Sequence, residues 1–172
     1  VILCCGAQKP RPVEFEGTAK GVYYALDYLK PVTQALIGEG RATASAYDKN
    51  VVVIGNGNTA SDCVATAVRQ GCKSVTQIIR KPKSAYGPEM DYAHQETDEL
   101  FGKDIRKFES KVKKVEADET GNLKSVMLST GDGEEILEAE LLLIASGFSG
   151  TEDYNDAMRK GDTTGKVLYA GD

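Results

Sequence analysis

One stretch decides the fold of this chain, because an apolar run leads directly into closely spaced glycines. It reads Val51-Val52-Val53-Ile54-Gly55-Asn56-Gly57-Asn58-Thr59-Ala60. Four apolar, mostly β-branched residues are typical of a buried strand, and the glycines after them are typical of a tight turn. From residue 59 to residue 70 the sequence becomes amphipathic. The stretch therefore predicts a strand, a turn and a helix in succession.

The spacing Gly-x-Gly-x-x-Ala in this turn favours the binding of a dinucleotide. Gly55 would supply the turn, Gly57 would leave no Cβ between the backbone and a diphosphate, and Ala60 would let the helix pack closely against the strand. Free N–H groups at the helix start would face the phosphates. We expect the following cofactor-binding residues here: Gly55, Asn56, Gly57, Asn58, Thr59 and Ala60. The alternative is a glycine turn without a ligand in some other α/β protein.

The next apolar run indicates which dinucleotide is bound. Residues 74–79 predict a second buried strand, which ends at Arg80 and Lys81. NAD-binding turns are followed after about 20 residues by an acid that binds the ribose 2′-hydroxyl, whereas residues 74–80 contain no acid. Two cations suit a 2′-phosphate instead, since a charge-assisted hydrogen bond contributes about 1.5–3 kcal/mol. We predict NADPH over NADH; the alternative is that both cations are merely solvated at a strand end.

Length and composition limit the classes of protein to consider. A chain of 172 residues with 41% hydrophobic residues suits one domain, or one domain plus pieces of another. The net charge of −5 and the absence of a basic stripe argue against nucleic acid as a partner. No apolar run approaches the length of a membrane span. Because the chain starts at Val1 within a predicted strand, we expect it to be a piece of a longer protein.

The cysteines predict neither a metal site nor a redox pair. The four positions include no Cys-x-x-Cys spacing: Cys4, Cys5, Cys63 and Cys72. We interpret all four as reduced, small hydrophobic residues of a cytoplasmic protein, and we expect no bound metal.

Two further segments predict helices. Residues 22–37 carry apolar residues near helical spacing, and Pro31 should break or kink them into two helices. Pro88 should begin another helix that runs to about residue 101, on which we interpret His94 as a surface residue. Between strand and helix, residues 82–87 predict a flexible loop, in which Lys83 would add positive charge near the adenosine end of the cofactor.

The second half of the chain changes character. Residues 105–108 predict a short strand, and residues 111–117, 124–129 and 134–139 predict three antiparallel strands joined by turns rich in glycine, Asp and Asn. A buried strand follows at residues 141–145. The predicted fold is α/β: a Rossmann-like parallel sheet with a three-stranded antiparallel meander, as in the NADPH domain of two-dinucleotide-binding flavoproteins.

The two ends of the chain resemble the strands that connect the FAD and NADPH domains of pyridine-nucleotide flavoprotein reductases. Residues 2–7 resemble the strand and turn that leave the FAD domain, and residues 167–172 resemble the strand that re-enters it. The resemblance implies an FAD-domain edge strand and connector over residues 1–17, a NAD(P)H-binding domain over residues 18–150, and a return segment over residues 151–172. It places Gly6, Gly171 and Asp172 on the FAD side.

Within these pyridine-nucleotide-disulfide oxidoreductase-like flavoproteins, the sequence is most similar to the small (β) subunit of NADPH-dependent glutamate synthase. The similar stretches are residues 21–26, 55–63, 69–71, 75–76 and 80–81. The resemblance implies that hydride passes from NADPH to FAD, and that electrons continue through iron–sulfur clusters to a large subunit that makes glutamate. That family more often has an arginine pair where this chain has Arg80-Lys81, and an acidic loop where this chain has residues 82–89.

The same resemblance assigns roles to the predicted site residues. It implies that Gly55, Gly57, Asn58 and Thr59 hold the diphosphate and that Arg80 and Lys81 hold the 2′-phosphate. The nicotinamide would be bordered by Ser146, Gly147 and Phe148.

Two other functions remain open, besides a close paralogue of the small subunit or the NADPH domain of another flavoprotein reductase. A thioredoxin-reductase-like NADPH domain would need a Cys-x-x-Cys pair just after the glycine motif, where Cys63 stands alone. The second is a non-catalytic nucleotide-binding domain. We expect no catalytic residue, because hydride transfer between two cofactors needs no general base from the protein. Without FAD, the chain should bind NADPH weakly and be inactive.

Overall fold

The computed structural model describes residues 2–3, 6–86, 95–150, 161 and 168–169. They form two compact units. Residues Val13–Ala145 make up the main unit, and Val1–Pro12 with Ser146–Asp172 make up the terminal unit.

The helices and strands of the described residues alternate between residues 22 and 107, and only strands follow. In order they are β1 Ile2–Leu3, β2 Lys9–Pro10, β3 Val22–Tyr24, α1 Ala25–Leu36, β4 Asn50–Ile54, α2 Asn58–Arg69, β5 Ser74–Ile78, a 3₁₀ turn Lys83–Ala85, α3 Gln95–Phe101, β6 Arg106–Lys107, β7 Lys111–Ala117, β8 Leu123–Thr130, β9 Gly133–Glu138, β10 Leu141–Ile144, β11 Phe148–Gly150 and β12 Leu168–Tyr169.

A five-stranded parallel sheet forms the centre of the main unit, with the strand order β3-β10-β4-β5-β6. Strand β4 lies in the middle and pairs with β10 on one side and β5 on the other. Its last four residues are all buried. A continuous apolar run is what a strand requires when both faces of its sheet are covered. The predicted parallel α/β fold is confirmed.

Each face of this sheet packs against a different layer. Val51 and Val53 lie in an apolar cluster with Ala60, Cys63 and Val64 of α2. The alternate residues of β4 lie in a second cluster, which contains Val126 and Leu128 of β8. Because successive strand residues point to opposite faces, one run of four apolar residues joins the helical layer to the strand layer.

The second layer is the predicted meander, with the strand order β7-β8-β9 and antiparallel pairing throughout. Its first turn is closed by the Asp118 carboxylate, which accepts hydrogen bonds from the N–H groups of Thr120 and Asn122 at 2.8 and 2.9 Å. Hydrogen bonds from Thr120 and Asn122 also lower the pKa of Asp118. The prediction of three antiparallel strands before the last parallel strand is confirmed.

The prediction of two helices over residues 22–37 is wrong. Val22–Tyr24 forms edge strand β3 instead, which pairs with β10, and α1 then runs without a break through Pro31. Proline has no N–H for the carbonyl of Asp27, four residues earlier. The Thr43 hydroxyl donates to that carbonyl at 3.3 Å. This replacement donor explains how the helix tolerates an interior proline.

The other predicted elements of the main unit agree closely with the structure. Strands β5, β6 and β10 and helix α2 begin and end within one residue of the predictions, and α3 matches the end of the predicted helix. The predicted loop at residues 82–87 contains the 3₁₀ turn. Several predictions lie outside the described residues: the helix start at Pro88, His94, Cys4, Cys5, and Gly171 with Asp172.

The terminal unit contains two short ribbons. Strands β1 and β12 pair in parallel, with Ile2 opposite Leu168 and Leu3 opposite Tyr169. Strands β2 and β11 pair antiparallel. The beginning of the chain and its last strand therefore meet in one pair of strands.

Candidate dinucleotide-binding site

The glycine turn after β4 is held by both neighbouring strands. The Gly55 N–H donates to the Ile78 carbonyl at 3.1 Å, and the Gln77 Nε2 donates to the Gly55 carbonyl at 2.8 Å. Gly55 has φ +128°, and a Cβ added to it would lie 2.2 Å from the Ala145 carbonyl oxygen. Only glycine satisfies both that dihedral angle and that approach.

Gly57 differs from Gly55 both in its backbone angles and in the space around it. Its φ of −94° and ψ of 179° are open to any residue, and a Cβ built there would meet nothing within 4 Å. The fold of the described residues therefore does not require glycine at this position. A ligand that approaches the backbone closely does require it, because a side chain would occupy the ligand's place. The space beside Gly57 is open in the described structure.

The start of α2 presents unpaired backbone donors to the same space. Ala60 and Ser61 donate to the Gly57 carbonyl at 2.9 and 3.1 Å, whereas the N–H groups of Asn58 and Thr59 donate to no backbone oxygen among the described residues. The first turn of α2 carries no acidic residue. Free N–H groups and the positive end of a helix dipole favour an anion. Ala60, as predicted, is fully buried between this helix and the sheet.

The two predicted cations lie where β5 ends. Ile54 and Ile78 are paired in register on neighbouring parallel strands, so Arg80 and Lys81 leave the same edge of the sheet as the glycine turn. Both side chains are exposed, and within the part of the chain that the structure describes neither takes part in an ion pair. Their charges are available to a phosphate.

A third cation near this edge, Arg106, is already paired with an acidic side chain of the chain itself. The Arg106 guanidinium is 3% exposed, and its Nε and Nη2 donate to the two carboxylate oxygens of Asp104 at 2.8 and 2.9 Å. Burial alone would raise the pKa of Asp104, but the hydrogen bonds and charge of Arg106 lower it. The guanidinium carbon also lies 5.4 Å from the centre of the Phe108 ring. No pattern in the sequence predicted this pairing of a buried arginine with Asp104.

Lys83 was predicted to add charge at the adenosine end. Its Nζ lies 3.9 Å from Asp104 Oδ2, and both side chains are more than a third exposed. An exposed pair at this distance stabilises little, about 0–1 kcal/mol. Lys83 follows the basic pair in the sequence, and the nearby Asp104 carboxylate offsets part of its positive charge.

Cys63 packs in the apolar cluster that α2 shares with the sheet, and it does not act as a thiolate. It is fully buried on α2, and Cys63 and Cys72 are both free thiols. Burial, with a smaller effect of Asp62, raises the pKa of Cys63 to about 12. A thiol nucleophile needs a lowered pKa, so Cys63 is a small hydrophobic residue, as predicted.

The remaining predicted site residues belong to the terminal unit. The Ser146 hydroxyl donates to the Arg11 carbonyl at 2.7 Å, and the Arg11 N–H donates to the Gly147 carbonyl at 2.9 Å. Arg11 Nη2 donates to the Phe148 carbonyl at 3.3 Å. Gly6 is exposed, with φ +67°. The structure thus brings residues 55–60 together with residues 80–81 in the main unit, and describes residues 6 and 146–148 within the other unit.

Comparison with known proteins identifies the family of the chain. The family model described as Pyridine nucleotide-disulphide oxidoreductase matches residues 1–167. The glutamate synthase [NADPH] small chain of Bacillus subtilis (strain 168) is 37% identical over 185 residues, which cover 88% of this chain and 38% of that protein. The glutamate synthase [NADH] of Schizosaccharomyces pombe is 30% identical over 89% of this chain and 9% of that protein. The chain thus spans less than two fifths of these curated relatives.

Solved structures share the fold at lower sequence identity. The reductase in a covalent putidaredoxin reductase–putidaredoxin complex matches 99% of this chain and 43% of its own, with a TM-score of 0.68 and 19% identity. The thioredoxin reductase from Streptococcus pyogenes matches 99% of this chain and 56% of its own, with a TM-score of 0.58 and 17% identity. These neighbours confirm the predicted flavoprotein type of fold.

Among the described residues, no helix has the length and apolar character needed to cross a membrane.

The family match extends over almost the whole sequence and includes both the glycine turn and the basic pair. The chain belongs to the pyridine nucleotide-disulphide oxidoreductase family.

Proposed function

We propose that this chain is the NADPH-binding part of an FAD-dependent oxidoreductase. The observation that carries the proposal is the space beside Gly57, which a Cβ would enter without meeting any atom within 4 Å. The N–H groups of Asn58 and Thr59 and the exposed Arg80 and Lys81 lie at the same edge of the sheet. A dinucleotide with a 2′-phosphate carries negative charge at the two places where these donors lie.

In this proposal the chain binds and orients the cofactor. Gly55, Asn56 and Gly57 form the turn, the N–H groups of Asn58 and Thr59 hold the diphosphate, and Ala60 keeps α2 close to the sheet. Arg80 and Lys81 bind the 2′-phosphate. Their charges select the phosphorylated dinucleotide because a carboxylate, which would repel it, is absent from residues 74–80.

The proposal keeps the predicted roles of the residues outside the main unit. Ser146, Gly147 and Phe148 border the nicotinamide, while Gly6, Gly171 and Asp172 belong to the FAD side. When both cofactors are bound, the nicotinamide supplies a hydride and the flavin accepts it. Pairing of β1 with β12 supports the proposed division, in which residues 1–17 and 151–172 flank a NAD(P)H-binding domain at residues 18–150.

For the whole protein, we propose the role of a glutamate synthase small subunit. The support is the similarity to small chains of that name, at 37% identity for the Bacillus subtilis protein and 29% for that of Mycobacterium tuberculosis. The proposal includes iron–sulfur clusters that take electrons from the flavin, a large subunit as partner, and a cytoplasmic location, which the free thiols of Cys63 and Cys72 support.

The lone, buried Cys63 disfavours a thioredoxin-reductase-like function. That chemistry needs two cysteines that exchange a disulfide, and burial keeps the Cys63 thiol protonated. The solved thioredoxin reductases share the fold with this chain, but fold does not imply function.

The test is a titration of the full-length, FAD-loaded protein with NADPH and NADH under anaerobic conditions, followed by the flavin absorbance and by calorimetry. We expect the flavin to be reduced by NADPH at a concentration at least about tenfold lower than that needed with NADH. Equal affinities would contradict the assignment of Arg80 and Lys81. Tight binding without any flavin reduction would instead favour a non-catalytic nucleotide-binding domain.

A further inference from the structure

A buried glutamine lies directly beneath the glycine turn, and apolar packing does not explain it. Gln77 is fully buried on β5, opposite Val53 of β4. Its Nε2 donates to the Gly55 carbonyl at 2.8 Å, while its Oε1 has no hydrogen-bond partner among the described residues. A buried acceptor without a partner destabilises a fold. An apolar side chain of similar size would avoid that cost, so the amide must be retained for another reason.

The orientation of the amide follows from its contact with Gly55. If the nitrogen and oxygen were exchanged, Oε1 would face the Gly55 carbonyl oxygen at hydrogen-bond distance, and two acceptors repel. The amide is therefore arranged to donate to Gly55, even though this leaves Oε1 unpaired. The side chain therefore makes its hydrogen bond to Gly55 while its other polar atom, Oε1, has no partner among the described residues.

That contact sets the plane of one peptide bond. The Gly55 carbonyl and the Asn56 N–H lie on opposite sides of the same planar trans peptide. Because Gln77 draws the carbonyl toward β5, the following N–H is directed the opposite way. The chain then enters α2 through Gly57, so this peptide leads directly into the segment that carries the N–H groups of Asn58 and Thr59.

We propose that Gln77 is a positioning residue for the cofactor diphosphate: its side-chain amide fixes the Gly55–Asn56 peptide in the orientation that aims the α2 N–H groups at the ligand. The proposal rests on the proposed dinucleotide site. It gives a function to a residue that touches no ligand itself and that carries an unpaired buried oxygen.

The test compares Gln77→Met with Ser74→Ala in the full-length protein. Ser74 lies at the other end of β5, where its hydroxyl donates to Asn50 Oδ1 at 2.8 Å, so this control also removes one hydrogen bond from the strand. Calorimetry measures the binding of NADP⁺, which contains the diphosphate, and of adenosine 2′-monophosphate, which lacks it. Thermal unfolding of each variant is measured in parallel.

We expect Gln77→Met to weaken NADP⁺ binding about tenfold and to change the binding of adenosine 2′-monophosphate by less than about twofold, because the latter does not use the turn. Its unfolding temperature should change by less than about 4 °C, because an unpaired Gly55 carbonyl replaces an unpaired Oε1. Ser74→Ala should leave NADP⁺ binding unchanged. Should Gln77→Met fail to fold, Gln77→Leu also removes the amide donor with an apolar side chain, and it should show the same selective loss.

Three results would overturn the proposal: unchanged NADP⁺ binding in the Gln77 variants, equal losses for both ligands, or failure of both variants to fold. Each would leave Gln77 either dispensable or merely structural. A wild-type protein that binds no NADP⁺ at all would instead overturn the proposed function. The two failures are therefore distinguishable.

Discussion

The glycine turn and the basic pair lie at the same edge of the sheet, but they are built in opposite ways. Gly55 is held by hydrogen bonds with Ile78 and Gln77, and the Ala145 carbonyl leaves no room there for a side chain. Arg80 and Lys81 are exposed, and within the described residues no ion pair holds them. The turn is a property of the folded backbone, whereas the basic pair is a property of two replaceable side chains.

In the proposed site, the turn therefore determines the affinity for any dinucleotide, and the basic pair determines the preference for NADPH over NADH. In the proposed site, backbone N–H groups bind the diphosphate that NADPH and NADH share, so changes in the turn should affect both cofactors. The exposed cations of that proposed site bind the 2′-phosphate, which only NADPH carries, so changes there should alter the preference and leave the fold intact. The predictions below test this separation.

Gly55→Ala should have the largest effect, on the fold itself. A Cβ at this position would lie 2.2 Å from the Ala145 carbonyl oxygen, on a residue with φ +128°. We expect a loss of about 3 kcal/mol in the free energy of unfolding, measured by denaturant titration. The matched control is Gly57→Ala, where the added Cβ meets nothing within 4 Å, and its loss should be below about 1 kcal/mol. Equal losses for the two variants would show that the turn is not held as described.

Gly57→Val should abolish most cofactor binding without unfolding the protein. The valine side chain fits the backbone angles of this residue but occupies the space assigned to the diphosphate. We expect about a hundredfold weaker binding of both NADPH and NADH, or about 2.7 kcal/mol, by calorimetry. The ratio of the two affinities should not change. Binding that survives in a folded variant would place the diphosphate elsewhere.

The double variant Arg80→Ala, Lys81→Ala should change selectivity. Loss of one or two charge-assisted hydrogen bonds should weaken NADPH binding by about tenfold to a hundredfold, and NADH binding by less than about threefold. The control is Lys111→Ala, Lys124→Ala, which removes the same charge from exposed sites on the meander. If the control variant lowers NADPH affinity as much, the effect is one of net charge and not of the basic pair.

Lys81→Arg should have the smallest effect of these variants, and it should raise the preference for NADPH over NADH instead of lowering it. Lysine offers a point charge, whereas arginine donates two parallel hydrogen bonds to a phosphate. We expect the preference for NADPH over NADH to rise by about threefold to tenfold, measured as the ratio of dissociation constants. A decrease in that ratio would show that Lys81 does not face the 2′-phosphate.

The sequence predicted much of this architecture because local patterns and the fold agree there. The apolar run at residues 51–54 must be buried on both faces, and glycine spacing marks the turn after it. The antiparallel strands are marked by the turn at residues 118–122 and by the alternation of half-buried and exposed residues along β9. These signals depend on residues that are neighbours in the chain.

The features that the sequence did not predict depend on contacts between distant residues. The edge strand Val22–Tyr24 forms because β10, more than 100 residues later, pairs with it. Pro31 is accepted inside α1 because Thr43 donates to the Asp27 carbonyl. Gln77 is one of three polar residues in β5, and only its burial and its contact with Gly55 set it apart from the other two. Local patterns contain no signal for such partners.

The most direct test is a crystal structure of the protein with NADP⁺ bound. The account predicts that the diphosphate lies beside Gly57, within hydrogen-bond distance of the N–H groups of Asn58 and Thr59, and that the 2′-phosphate contacts Arg80 or Lys81. A dinucleotide bound with its diphosphate away from this turn, or with its 2′-phosphate away from both cations, would contradict it.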